Sequence, residues 1–96
     1  KVMAAQWLPE ALDDVDRLFN FLFEKTPPAA ERMTDTLING TRQLEQFPDS
    51  GRPMNDSLGL RELFVPFGGS HYVLRYRLIG SDATIIRVWH HMEVRS

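Results

Sequence analysis

An α+β fold is predicted by three features of these 96 residues. Two early stretches carry apolar residues at helical spacing, three later stretches alternate as strands do, and short Gly- or Pro-containing turns separate them. The expected order is β-α-α-β-β-β, with a helix hairpin packed on one face of a twisted antiparallel sheet. A single domain over residues 1–96 is expected, because a chain of this length buries about 65% of its extended surface, enough for one core.

Val2 to Leu8 alternates weakly and reads as the first strand, with Trp7 anchoring it to the core. Pro9 suits the first turn of a helix, where its missing N–H costs nothing, and Glu10, Asp13 and Asp14 lie near the positive end of the helix dipole. Ala11, Leu12, Val15, Leu18, Phe19 and Leu22 recur every three or four residues. A helix from about Pro9 to Phe23 therefore buries that stripe and leaves Asp13, Asp16, Arg17 and Asn20 in water. Phe21 and Phe23 exceed what one stripe needs and mark a second contact surface. Thr26-Pro27-Pro28 opens a second helix with the stripe Ala30, Met33, Leu37, Thr41 and Leu44, which Phe47-Pro48 ends. Gly40, inside that helix, costs about 1 kcal/mol relative to alanine; close approach to the first helix would explain it. Pro48 to Gly59 is a loop by composition.

Leu60 to Met92 reads as three strands, split by Gly68-Gly69-Ser70 and Gly80-Ser81-Asp82. In the middle strand Tyr72, Leu74, Tyr76 and Leu78 alternate with Val73, Arg75, Arg77 and Ile79, so one side is apolar and the other basic. Gly80-Ser81 suits a hairpin turn with glycine first. Continued alternation places Ile86, Val88 and Met92 on the apolar side and Ile85, Arg87, Trp89 and His91 on the other. The expected core is thus Leu12, Val15, Leu22, Met33, Leu37, Leu44, Leu74, Tyr76, Ile86 and Val88.

The composition, 43% hydrophobic and 25% charged, is that of an ordinary globular chain. A net charge of -2 argues against a nucleic-acid binder that uses its whole surface. Charge is unevenly placed: Glu10, Asp13, Asp14, Asp16 and Glu24 face only Arg17 in the first helix, whereas Arg61, Arg75, Arg77, Arg87 and Arg95 dominate from Leu60 onward. Without cysteine there is neither a disulfide framework nor a thiolate metal site, which fits a reducing cytoplasm. The N-terminal "KVMAAQWLPEA" meets Pro9 and acidic residues too early for a secretory apolar region, and nothing approaches a membrane span. A cytoplasmic location without membrane contact is expected.

The Arg-rich strand face is the expected binding surface. A metal-free ribonuclease would need a base, an acid and a cation for the developing phosphorane charge. His90 or His91 could supply the acid, Asp56 or Glu62 the base, and Arg75 or Arg87 the cation. Against that arrangement, neighbouring histidines on a strand point to opposite faces. No metal site is expected, since His90 and His91 do not converge and His71 is distant in sequence. No cofactor is expected either, because Gly68-Gly69 leads into a strand and not into a helix N-terminus able to cradle phosphate.

The segments "LPEALDDVDRLFNFL", "FPDSGRP", "LRELFV", "YVLRYRL" and "IIRVWHHMEVR", in this order, resemble the RelE/ParE superfamily of type II toxin–antitoxin toxins. The resemblance implies a toxin that a cognate antitoxin neutralises by wrapping it with a C-terminal segment, with operator DNA reached only through the antitoxin. The ending "RVWHH" looks like the ParE branch, which poisons DNA gyrase and is linked to plasmid stabilisation. In the nuclease branch an arginine usually follows the tyrosine of the third strand, where this sequence has Val73. Antitoxin or target binding is then expected at Arg61, Arg75, Arg77, Arg87, Trp89 and His91. The alternatives are a RelE-like, ribosome-dependent mRNA endoribonuclease using His90, His91, Arg75, Arg87 and Glu62, or an interaction module without toxicity.

Overall fold

The structure is a computed structural model and describes residues 5–93. In order the chain forms β1 (Ala5–Trp7), α1 (Pro9–Lys25), α2 (Pro27–Gln46), β2 (Arg52–Pro53), β3 (Arg61–Phe67), β4 (Ser70–Ile79) and β5 (Asp82–His90). The strands make one sheet in the order β1-β5-β4-β3-β2, and the helix hairpin packs on one of its faces, as expected. The sheet is mixed: β1 runs parallel to β5, and the remaining ladders are antiparallel. Of the expected first strand, Val2 to Ala4 lie outside the described residues.

Pro9 occupies the first turn of α1 with Glu10 beside it. Thr26 alone joins the helices, its N–H donating to the Leu22 carbonyl at 2.7 Å while Pro27 opens α2. Ala11 and Leu18 of α1 and Met33, Leu37 and Leu44 of α2 meet Leu63, Leu74, Tyr76, Ile85 and Val88 of the sheet in the core. Leu12 departs from expectation, being 52% exposed. The contact line already runs through Ala11, Val15 and Leu18, and Leu12 sits about 100° round from Ala11, bordering a groove beside Ile38. Gly40 answers a close approach, but to the sheet and not to α1: a Cβ there would lie 3.0 Å from Val65 and 3.1 Å from Leu74.

The loop after α2 contains the short edge strand β2, with Pro53 at the sheet margin where no ladder donor is required. Tyr76 holds this loop from the core. Its hydroxyl accepts from the Gly51 N–H and donates to the Pro48 carbonyl, both at 2.8 Å. A Cβ at Gly51 would lie 2.5 Å from the Tyr76 ring, so glycine is required by contact.

The β4–β5 hairpin turns through Gly80, whose φ of 63° suits glycine. Register then changes between Arg75/Arg87 and Tyr76/Ile85, leaving Ile86 as the extra residue of a β-bulge. This corrects the expected alternation. Ile85, not Ile86, faces the core, and Val88 returns to it three residues later. Met92, also expected inside, follows the end of β5 and is 73% exposed. Among the described residues no helix is long and apolar enough to cross a membrane.

Candidate binding face and the clamp at its edge

The sheet face away from the helices carries most of the residues expected to bind. Alternation along β3, β4 and β5 brings Glu62, Phe64, His71, Val73, Arg75 and Trp89 together there, Val73 opposite Trp89 and Glu62 opposite Arg75 in register. Arg75 donates to Glu62 Oε2 from Nε at 3.2 Å and Nη2 at 2.8 Å, and its guanidinium lies 4.8 Å from the Trp89 ring centre. Arg52 approaches the same Glu62 at 3.7 Å and stacks 5.1 Å from the Phe64 ring. Phe64 packs on His71 at 5.1 Å, and His71 stacks on His91 at 4.4 Å. The result is an aromatic surface edged by arginines whose main carboxylate, Glu62, is already engaged.

Two of the expected binding arginines are held by the fold. Arg61 donates to the Asp49 and Gly51 carbonyls at 3.0 and 2.8 Å, bracing the same loop as Tyr76. Arg87 pairs with Arg75 across the ladder, but its side chain turns over the sheet edge to Asp14 of α1, Nε to Oδ2 at 2.7 Å and Nη2 to Oδ1 at 3.0 Å. Arg77 is exposed and, among the described residues, has no carboxylate partner.

Asp14 was legible only as an acid near a helix start, yet it is 2% exposed. It also accepts from Arg17 Nη1 at 2.6 Å and from the Val88 N–H at 2.8 Å. Arg17 in turn grips Glu93 through Nε and Nη2, each at 3.1 Å, and reaches the Val88 carbonyl at 3.4 Å. Beyond the short β1, which pairs only as far as Ile85, α1 thus supplies side-chain partners for the outward backbone groups of β5. Burial pushes the Asp14 carboxyl up, but hydrogen bonds from Arg87, the Val88 N–H and Arg17 outweigh it and hold the group below its usual value. The sequence did carry a signal: Asp14 stands inside the apolar stripe of Ala11, Val15 and Leu18, where a charge needs a partner.

The residues considered for RNA cleavage do not gather at one point. Asp56 accepts from the Leu58 and Leu60 N–H groups within its own loop. His90 lies on the helix side, edge-on to Tyr72 at 5.1 Å, with Nδ1 accepting from the Met92 N–H at 3.1 Å; His91 stacks on the opposite face. Glu62 and Arg75 are paired with each other, and Arg87 with Asp14. Among the described residues no cluster of three or more histidine, aspartate or glutamate side chains could hold a metal ion.

Residues 5–95 match the family of ParE toxins of the type II toxin–antitoxin system parDE. The chain belongs to the ParE toxin family. Among curated proteins of Caulobacter vibrioides, this ParE-family chain is 40% identical to Toxin RelE1 over 82 residues, covering 85% of the chain and 86% of that protein. It is 38% identical to Toxin RelE3 over 87 residues, covering 91% and 92%. The fold matches a chain of the chromosomal ParDE system from P. aeruginosa with a TM-score of 0.73 at 20% identity, over 93% of this chain and 96% of the other. Both the aromatic face and the Asp14 clamp lie within the span shared with the ParE family.

Proposed function

We propose that this ParE-family toxin arrests growth by binding and poisoning DNA gyrase, and that a cognate antitoxin neutralises it. The observation that carries the reading is the local neutralisation of the two arginines considered for phosphate stabilisation, Arg75 by Glu62 and Arg87 by Asp14. A phosphoryl-transfer site needs a cation aimed at the reacting phosphate, and here both guanidinium groups are aimed at carboxylates. A protein target, by contrast, is suited by exposed arginine beside stacked aromatic rings, residue types enriched where binding energy concentrates. Gyrase-catalysed supercoiling with and without the purified toxin is the test, run beside cleavage of ribosome-bound mRNA. Supercoiling should fail while message stays intact, and His90→Ala and His91→Ala should each leave toxicity largely unchanged. A nuclease would lose about 100-fold or more with its general acid.

The names of the two Caulobacter relatives favour a second reading, a RelE-like ribosome-dependent endoribonuclease. Message cleavage abolished by a histidine substitution, with supercoiling untouched, would establish it in place of the first.

The antitoxin is proposed to cover the basic face, its acidic groups meeting Arg77 and Arg75, and to contact operator DNA on the toxin's behalf. Arg77 carries the most of this, as an exposed cation on a strand whose other arginine is already paired. Arg77→Glu should weaken antitoxin affinity about 10-fold, on the scale of one charge-assisted contact. Titration calorimetry giving the same affinity for both forms would remove Arg77 from the interface.

A further inference from the structure

On the helix side of the sheet, beyond the Arg17–Glu93 pair, a cleft of about 510 Å³ opens between α1 and the ends of β3, β4 and β5. Its walls are apolar, formed by Leu18, Leu22 and Phe67. Phe21 and Met92 stand at the mouth, 58% and 73% exposed. This is the size and character of a small-molecule site, which typically has about 300–1,000 Å³, apolar walls and a few fixed polar groups.

The polar groups narrow the chemistry. Tyr72 is 2% exposed, its ring fixed between Phe67 at 5.2 Å and His90 at 5.1 Å. Among the described residues its hydroxyl has no hydrogen-bond partner, and the oxygen is not fully enclosed. Tyr72 is among the residues that line the cleft. A buried phenol normally finds a partner, and this one faces room for it. Burial, reinforced by the Glu93 carboxylate, pushes the phenol up to about 12, so it stays protonated and able to donate. His90 accepts the Met92 N–H at Nδ1, which in the neutral ring leaves its proton on Nε2. Both groups therefore offer hydrogen atoms. The charged pair adds no net demand, because Arg17 is answered by Asp14 and Glu93.

We propose that this cleft binds a small neutral molecule with a compact apolar body and one hydrogen-bond acceptor, which the Tyr72 hydroxyl engages. The assignment does not depend on the toxin's target. Two probes of nearly equal size test it: 2-acetylnaphthalene, which carries a carbonyl acceptor, and 2-ethylnaphthalene, which carries none. Binding to the full chain is followed by NMR, reading both affinity and the amides that shift. The acetyl probe should shift amides of Phe67, Tyr72 and His90 and bind about 10-fold more tightly than the ethyl probe, the scale of one hydrogen bond. Tyr72→Phe should remove that preference while leaving the ethyl probe's affinity unchanged. Leu22→Trp, which fills the cleft from one wall, should abolish binding of both. Equal affinities for the two probes on the wild-type protein, shifts confined to other surfaces, or an acetyl preference that survives Tyr72→Phe would each overturn the proposal. Should Tyr72→Phe not fold, the wild-type comparison of the two probes decides alone.

Discussion

Asp14→Ala is expected to destabilise the protein by about 3 kcal/mol, near the lower end of what breaking a buried ion pair costs. The carboxylate accepts four hydrogen bonds, from Arg17, from Arg87 twice and from the Val88 N–H. Removing it strands a buried backbone donor and leaves two guanidinium groups facing each other. Because the Arg17 and Arg87 side chains are 45% and 47% exposed, water can take up part of their loss, which keeps the cost from reaching the upper end of the range. The pH dependence follows from the depressed carboxyl. A group whose folded pKa lies below its unfolded value stabilises above the unfolded value and loses that contribution as pH falls through the folded one. The stability gap between wild type and Asp14→Ala should therefore be full near neutrality and shrink below the ordinary carboxyl value of 3.8. Urea unfolding at a series of pH values measures this directly. A gap that stays constant down to pH 2 would mean that the clamp contributes nothing electrostatic.

What could be read from the sequence was whatever depends on neighbours along the chain. Helical spacing placed α1 and α2, Pro9 and Pro27 marked their starts, and the Gly68 and Gly80 turns separated the three long strands. Tyr72, Leu74 and Tyr76 fell on the buried side because alternation within one strand needs no knowledge of its partner. The misses arise where two distant segments must meet. The pairing of Asp14 with Arg87 joins residues 73 apart, and nothing in the local pattern says that an arginine on the open face will fold over the sheet edge. The bracing contacts of Arg61 were hidden in the same way, since the carbonyls it serves lie in a loop whose path the composition leaves open. The aromatic face could be anticipated as basic and aromatic, but not that Glu62 would already occupy Arg75. The cleft at Tyr72 was foreshadowed only by the surplus phenylalanine at position 21, and its polar content depends on how β4 and the end of β5 converge.

The bulge in β5 reverses the ranking of buried positions that plain alternation implies. Leu74→Ala and Ile85→Ala should each cost about 2–5 kcal/mol, the range for truncating a fully buried aliphatic side chain; both residues are 0% exposed and belong to the core beneath the helices. Ile86→Ala should cost distinctly less, about 1 kcal/mol, since Ile86 is only partly buried and lies outside that cluster. Uninterrupted pairing would put Ile86 inside and turn Ile85 toward the open face, giving the opposite order. Denaturation midpoints of the three variants, compared at unchanged m-value, separate the alternatives. A costlier Ile86→Ala would mean that β5 runs through without the extra residue. Ala83 would then turn to the open face with Ile85, while Arg87 and Val88 would keep the faces they have. The same measurement therefore tests the register of β5 between the hairpin turn and the bulge, the part that sets Ala83 and Ile85 beneath the helices.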